Sequence, residues 1–285
     1  YLHFTKMKIA IVGTRGIPNH YSGFEQFAEY FSVYLAEKGH DVYVYNSHNH
    51  QYQEPEFKGV KLLHRHDPEY KYGTFGQFIY DYNCIKDSRK HNFDVILQLG
   101  YTSNSVWFFM LPKKPVIITN MDGLEWKRSK YSKPVQQFLK FAERLAAVSS
   151  DFLVADSLGI QSFLKKKYNK DSRYIPYGAH PFDTPDDSIL KEYGVEKGKY
   201  HMIIARFEPE NNIEMVLDGL VLSGLKTTIL VVGNHTTKHG EHLKAKFKDY
   251  DHIRFTGGIF NIGFLNNLRY YSDPVSYTHL RAHET

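Results

Sequence analysis

Residues 8–27 read KIAIVGTRGIPNHYSGFEQF, an apolar run followed by a glycine-rich turn and the start of an amphipathic pattern. From Phe24 to Leu35 apolar residues recur at intervals of three and four, which predicts a helix with one core-facing side. Gly39, the expected C-cap of this helix, precedes a second apolar run, DVYVYN. The order strand, helix, strand predicts a βαβ unit.

Strand-sized runs recur along the chain as DVILQLG, PVIITN and FLVADS, separated by helix-length stretches such as PVQQFLKFAERLAAVSS. Such alternation indicates an α/β protein with a parallel sheet. After YIPYG it restarts with KYHMIIAR, TTILVVGN and IRFTG. We therefore predict two Rossmann-like lobes, residues 7–176 and an incomplete 177–272, with a ligand cleft at the carboxyl ends of the strands. Residues 273–285 are expected to be extraneous or disordered.

Composition places the chain among globular proteins, with 42% hydrophobic and 24% charged residues over 285 positions. No apolar run approaches the ~20 residues of a membrane helix, and we see no secretory signal before Met7, so a cytoplasmic location is expected. The single Cys84 excludes an internal disulfide and a zinc module, and is expected to be a packing residue.

Charge is uneven, since residues 1–176 carry 24 Lys and Arg against 17 Asp and Glu. A basic first lobe favours a phosphorylated ligand or an anionic membrane surface, because no nucleic-acid recognition motif accompanies it. The alternative is a set of solvated lysines on helix faces.

The turn at Gly13, Gly16 and Gly23 could receive a phosphate on its backbone amides, or it could be an ordinary tight turn. It lacks the GxGxxG spacing, and the following strand ends VYVYNSHN without the acid that binds a ribose in nicotinamide enzymes. A dehydrogenase or epimerase that uses NAD is therefore disfavoured.

Two further segments place polar residues directly after apolar strands. In PVIITNMDGLEWKRSKY, the carboxylates suit sugar hydroxyls, the Trp suits a pyranose face and the Arg suits a phosphate. Alternatively, Asp122 and Glu125 form a capping box at the start of a helix. In ARFEPENNIEMVL, Arg206 suits a diphosphate, whereas Asn211 or Asn212 could simply cap the next helix. The His-rich HTTKHGEH lacks zinc-helix spacing, and no metal site is expected.

In order and spacing, these motifs resemble family 4 glycosyltransferases of the GT-B fold over residues 7–272. The glycine turn is similar to that family's first-lobe loop, DGLEWKRSKY to its HGLDW-type segment, YIPYGA to its IPNG hinge and ARFEPENN to its GRLxPEKG donor motif. The first-lobe pattern is most similar to bacterial rhamnosyltransferases that build capsule and cell-wall polysaccharide.

The resemblance implies transfer of a sugar with retention, L-rhamnose from dTDP-rhamnose, to a lipid-linked saccharide at the inner membrane face, without a metal or other cofactor. Catalytic roles fall on Asp122 and Arg206. The implied donor contacts are Gly13, Gly16, Arg206, Glu210 and Asn211. The implied acceptor contacts are Gly23, Glu25, Glu125, Trp126 and Arg128.

Three departures from the family pattern qualify this reading. Asp122 stands where many relatives have His, and Asn211 where many have a phosphate-binding Lys. The family's E-x7-E segment, which holds the donor sugar, does not follow residue 272, so residues 1–285 are expected to be inactive. A non-catalytic module that binds a sugar nucleotide or a polysaccharide is the alternative.

Overall fold

The computed structural model describes residues 5–20, 23–128, 131–178, 181–259, 261–273 and 275–276. The chain divides into two compact units, and the boundary lies between Tyr177 and Gly178. We call them the first and the second lobe.

The first lobe is built on one sheet. Its strands are β1 (Lys8–Val12), β2 (Asp41–Ser47), β3 (Glu56–Phe57), β4 (Val60–Arg65), β5 (Val95–Leu99), β6 (Val116–Asn120), β7 (Phe152–Ala155) and β8 (Ser172–Tyr174). They lie in the order β3-β4-β2-β1-β5-β6-β7-β8, parallel except for the β3–β4 pair. After β1 the chain continues to β2 on one side of the sheet, and after β5 it continues to β6 on the other side. The carboxyl ends of β1 and β5 therefore flank a topological switch point, where α/β sheets bind ligands.

Helices cover both faces of this sheet. They are α1 (Gly23–Glu37), α2 (Glu69–Tyr72), α3 (Thr74–Ser88), α4 (Lys133–Ser149) and α5 (Leu158–Tyr168), with 3-10 turns at Ser105–Met110 and Glu125–Lys127. The apolar side of α1 packs with β1, β2 and β4, whereas Tyr80 and Cys84 of α3 pack on the other face. Cys84 is fully buried, which confirms its packing role.

The second lobe has a smaller sheet with the order β11-β10-β9-β12, parallel throughout. Its strands are β9 (Tyr200–Ile204), β10 (Thr228–Val232), β11 (Ile253–Gly257) and β12 (Val275–Ser276). Its helices are α6 (Ile213–Leu222), α7 (Lys238–Lys246) and α8 (Ile262–Tyr271), with 3-10 turns at Ser188–Lys191 and Pro209–Asn211. The winding reverses at β9, so the loop after β9 lies at this sheet's switch point.

The α/β class is confirmed, and the predicted apolar runs coincide with β1, β2, β5, β6, β7, β9, β10 and β11. One prediction is wrong in part. Residues 275–276 do not lie outside the fold, because they pair in parallel with Met202 and Ile203 of β9. Val has a high strand propensity, and β9 offers an edge on that side. Residues 274 and 277–285 lie outside the described ranges.

Residues 7–176 should fold alone, because three apolar clusters close entirely within the first lobe. We expect a single cooperative transition when this segment is melted and followed by far- and near-ultraviolet circular dichroism, with the whole chain as the control. A broad, non-cooperative profile would show that the first lobe depends on the second.

Candidate functional site

The loop after β1 packs tightly against two neighbouring strands, and its first two glycines make this possible. Gly13 has φ +85°, and a Cβ there would lie 2.3 Å from the backbone oxygen of Leu99. Gly16 has φ +126°, and its Cβ would lie 2.4 Å from Cγ of Asn46. Both positions are therefore restricted to glycine by backbone conformation and by contact.

Asn46, fully buried at the end of β2, holds this loop by its side-chain amide. Its Oδ1 accepts from the Ile17 N–H (3.2 Å) and its Nδ2 donates to the Ile17 oxygen (2.8 Å). The Gly16 N–H donates to the Thr14 hydroxyl (3.2 Å). Two loop amides thus have partners inside the protein. The structure gives Gly13 and Gly16 a packing role, and their contact with a donor stays a prediction.

The strand end where nicotinamide enzymes carry a ribose-binding acid is thus occupied by an amide that holds the loop. The expectation that the chain does not use NAD stays a prediction.

Carboxylates of α1 hold the last residues of the same loop. Glu29 accepts from the Asn19 N–H (2.7 Å), and Glu25, only 3% exposed, accepts from the His20 N–H (3.4 Å). Gly23 begins α1 at an exposed position with open space around its Cα. These contacts show how the helix and the loop are joined, and the acceptor roles of Gly23 and Glu25 stay predictions.

Asp122 follows β6 and has the left-handed backbone conformation, with φ +46°. Its N–H donates to Oδ1 of Asn120 (3.1 Å). Burial, followed by the charge of Asp122, raises the pKa of Tyr177 to about 12. A non-glycine residue held in this conformation is strained, and such strain concentrates at functional sites.

The capping-box interpretation of Asp122 and Glu125 is wrong. Only the 3-10 turn Glu125–Lys127 follows, without a side-chain cap, and the long helix α4 begins after Ser132. The reason is the left-handed backbone of Asp122, which differs from the extended conformation of an N-cap residue. The Glu125 carboxylate instead pairs with Arg128, at 3.1 Å between Oε2 and Nη1.

Trp126 anchors this segment to α4 and α5. Its indole N–H donates to Oε2 of Glu143 (2.8 Å), a fully buried carboxylate that also accepts from the Tyr168 hydroxyl (2.6 Å) and the Lys167 ammonium (2.8 Å). The Lys140 ammonium lies 4.6 Å from the centre of the ring. These contacts give Trp126 a structural role, and its stacking on a sugar stays a prediction that competes with this packing.

An ionic cluster that the sequence analysis missed lies at the switch point of the first sheet. Nε and Nη2 of Arg15 both lie 2.8 Å from Oε2 of Glu69, and Nε lies 3.5 Å from Oδ2 of Asp67. Asp81 of α3, which acts on Arg15 electrostatically, accepts a hydrogen bond from the Ser103 hydroxyl after β5. Four separate chain segments meet here, and only Arg15 lies in a segment that the sequence singled out.

Asp81 is only 4% exposed. Burial raises the pKa of its carboxyl to about 6; the Ser103 hydrogen bond and Arg15 oppose this effect, whereas Asp67 and Glu69 reinforce it. At neutral pH the Asp81 carboxylate is therefore ionised at the expense of the free energy of unfolding, which is lower than it would be with a neutral group. Carboxyl groups with such pKa values are typical of functional sites.

Glu69 is positioned by close contact between α2 and α3. A Cβ on Gly76 would lie 2.5 Å from both Cα and N of Glu69, so only glycine permits this approach. The Gln77 amide donates to Oε1 of Glu69 (2.6 Å). Arg15 thus meets a carboxylate that two helices hold in place.

Arg206 lies at the corresponding switch point of the second sheet. Its side chain is exposed, and no carboxylate in the described ranges pairs with it. Its carbonyl accepts from the Glu208 N–H (2.8 Å) and from Nδ2 of Asn211 (2.6 Å). The backbone of Arg206 is therefore fixed while its guanidinium stays open to an anion.

The predicted Asn cap of α6 is confirmed in its position but not in its hydrogen bond. Asn212 occupies the N-cap position with φ 50°, and its side chain makes no capping hydrogen bond. Asn211 is buried and its Nδ2 donates to the carbonyl of Arg206, and its donor contact stays a prediction. Glu210 is half-buried in the adjacent 3-10 turn, and its donor contact stays a prediction.

The His-rich segment after β10 forms ordinary side-chain contacts. The rings of His239 and His242 stack at 6.2 Å, and His242 lies 3.2 Å from a carboxylate oxygen of Glu214. Across the part of the chain that the structure describes, no three His, Cys, Asp or Glu side chains are grouped to hold a metal ion.

Residues 6–180 match the model of a protein family described as a domain of unknown function (DUF1972). This match covers more than half of the chain. None of the curated proteins matches the chain.

Solved structures resemble the chain over 94–95% of its length. HepE from Anabaena, in complex with UDP and glucose, gives a TM-score of 0.67 at 16% identity over 94% of this chain and 73% of that one. The catalytic domain of starch synthase IV from Arabidopsis thaliana, bound to ADP and acarbose, gives 0.65 at 10% identity over 94% and 77%. A UDP-N-acetylglucosamine 2-epimerase from Rickettsia bellii gives 0.55 at 14% over 95% and 74%.

At these identities the likeness establishes the fold, the GT-B fold of glycosyltransferases that the sequence predicts. Because an epimerase also resembles the chain, the fold is compatible with more than one reaction. The residues of the two switch points must therefore decide the function.

Asp81→Asn should stabilise the protein at pH 7.5, by up to about 3 kcal/mol in the free energy of unfolding. The pKa of Asp81 is raised to about 6 in the folded state, so wild-type stability falls as pH rises from about 4 to 6 while the variant lacks this loss. Thermal melts at pH 4.5 and 7.5 measure it, and the gain should be larger at pH 7.5. An equal or smaller gain there would contradict the raised pKa.

Proposed function

The chain belongs to the DUF1972 family, and on that premise we propose that it is a retaining glycosyltransferase which moves a sugar from a nucleotide donor to a lipid-linked saccharide. L-rhamnose from dTDP-rhamnose is the proposed donor, on the resemblance of the first-lobe motifs to bacterial rhamnosyltransferases. The observation that carries the proposal is the open guanidinium of Arg206 at the switch point of the second sheet.

Arg206 suits a leaving diphosphate for two physical reasons. Its planar fork can donate two parallel hydrogen bonds to phosphate oxygens, and its charge is permanent. Asn211 holds the backbone of Arg206, which fixes the point from which the guanidinium can reach the leaving group. This arrangement compensates for the Lys that many family 4 enzymes carry where this chain has Asn211.

In the proposed reaction the bond between the anomeric carbon and the diphosphate oxygen breaks, while a bond to the acceptor oxygen forms on the same face of the sugar. The acceptor proton leaves with the nucleoside diphosphate. Asp122 is the proposed first-lobe residue beside the reacting centre, because it is held in a strained conformation at a strand end. The Glu125–Arg128 pair is proposed to contact the acceptor.

A peripheral position at the inner face of the plasma membrane completes the proposal. Tyr70, Phe75 and Phe109 of the first lobe are 73%, 66% and 63% exposed, and this lobe is rich in lysine. Aromatic rings and basic groups together favour an anionic bilayer surface. No helix in the described ranges has both the length and the apolar character needed to span a bilayer. Co-sedimentation with phosphatidylglycerol vesicles, compared with phosphatidylcholine vesicles, measures this affinity.

Arg206→Ala should weaken the binding of dTDP to the chain by at least tenfold, since a charge-assisted contact contributes roughly 1.5–3 kcal/mol. Arg206→Lys should restore only part of the affinity, because an ammonium lacks the fork. Isothermal titration calorimetry measures the dissociation constants. Lys248→Ala, an exposed position before β11 at the other edge of the second sheet, is the matched control. Wild-type affinity in Arg206→Ala would move the diphosphate site elsewhere.

Transfer itself is tested with radiolabelled dTDP-rhamnose and a lipid-linked glucoside, by counting label in the organic phase. For residues 1–285 we expect donor binding without transfer, since the resemblance places the acids that grip the donor sugar after residue 272. A longer chain with an E-x7-E segment should transfer label. Binding without transfer in that longer chain would favour the non-catalytic module. Counts above a boiled control for residues 1–285 would show that transfer does not require the acids of the E-x7-E segment.

A further inference from the structure

The ionic cluster around Arg15 leaves two polar groups open. Both oxygens of Glu69 are occupied, by Gln77 and by Arg15, and both oxygens of Asp67 are occupied, by the Glu69 N–H (3.0 Å) and by Arg15. Asp81 accepts from Ser103 through Oδ2 only, and Arg15 uses Nε and Nη2. Within the described ranges, Oδ1 of Asp81 and Nη1 of Arg15 have no partner.

This open pair lies at a topological switch point. Its acceptor is Oδ1 of the nearly buried Asp81, and its donor is Nη1 of the half-buried Arg15. A ligand that satisfies both must donate one hydrogen bond and accept another. Adjacent hydroxyl groups of a sugar do this, because each hydroxyl is both donor and acceptor.

We propose that Asp81 and Arg15 form a subsite for a neutral sugar of the acceptor, with Asp81 accepting from one hydroxyl and Arg15 donating to a neighbouring oxygen. Its assignment to the acceptor rests on the proposed function, whereas its preference for a neutral sugar rests on the cluster alone.

Charge excludes an anion from this subsite. Three carboxylates surround one guanidinium, so phosphate or a uronic acid would meet net negative charge. A cation is disfavoured as well, since Arg15 already pairs with the carboxylates of Asp67 and Glu69. The pyrophosphate of a lipid-linked acceptor must therefore bind elsewhere than at this cluster.

The test uses the whole chain and two probes that differ only at C6, methyl β-D-glucoside and methyl β-D-glucuronide. Saturation-transfer NMR titrations give the dissociation constants without a nucleotide donor. We expect the neutral probe to bind more tightly than the anionic one, and Asp81→Asn to weaken the glucoside at least about fivefold at pH 7.5, because a charged acceptor becomes a neutral one. Asp87→Asn, which alters a buried carboxylate of the same helix paired with Arg65, is the matched control and should bind as wild type.

A pH series provides a readout that needs no variant. The titratable groups acting on Asp81 are Arg15, Asp67, Glu69, Tyr80 and Cys84. Because the pKa of Asp81 is about 6, glucoside binding by the wild type should weaken as pH falls from 7.5 to 5, whereas Asp81→Asn should stay constant.

Three results would overturn the subsite: no glucoside binding by the wild type, equal affinity in Asp81→Asn at pH 7.5, or glucuronide affinity equal to that of the glucoside. None of them depends on dTDP. Loss of the proposed function would appear instead as dTDP binding that is insensitive to Arg206, and the two failures are therefore distinguishable.

Discussion

The hydrogen bonds between the Asn46 side chain and the backbone of Ile17 fix the loop on which the first lobe's ionic cluster depends. The neighbouring Ser47 N–H donates to the carbonyl of Arg15 (2.8 Å), so β2 holds the loop at two successive residues. Arg15, which lies in the loop after β1, can then reach Glu69, which lies in the segment after β4. Without this attachment the guanidinium would have no fixed position, and the carboxylates that face it would repel one another.

The elements that were predictable from sequence are those whose pattern is local. Buried parallel strands appear as continuous apolar runs, and α1 shows its core face at helical spacing, so these were found. Helix α3 was not, because its buried positions include Tyr80 and Asp81 and its apolar periodicity is weak. The ionic cluster joins Arg15 to Glu69 across 54 positions, and no spacing rule records a contact that the sheet order creates.

The predictions about individual side chains failed for a similar reason. Asp122 and Glu125 have the spacing of a capping box, yet backbone conformation decides whether a cap can form, and this cannot be read from residue types. The resemblance identified Arg206 and Asp122 at strand ends, but it could not show that Asn211 holds a carbonyl or that Trp126 is tied to a buried carboxylate. Motifs locate segments, whereas side-chain roles emerge from packing.

Local charge and overall charge differ between the lobes. The first lobe is basic over residues 1–176, but the ionic cluster at its switch point is acidic. The more acidic second part of the chain presents at its switch point an arginine that no carboxylate in the described ranges pairs with. A ligand responds to the field within a crevice more than to the net charge of a lobe. A neutral saccharide and an anionic nucleotide would therefore be sorted to different lobes by electrostatics alone.

The close contact between Gly76 and the backbone of Glu69 has a consequence for the thermodynamics of recognition. Because α2 and α3 meet backbone to backbone, the backbone of Glu69 cannot shift without moving both helices, and the Glu69 carboxylate restrains Arg15. The groups that would meet a sugar are thus ordered before it arrives. Association then forfeits little conformational entropy in the protein, and a small, weakly binding neutral ligand can be held by few contacts.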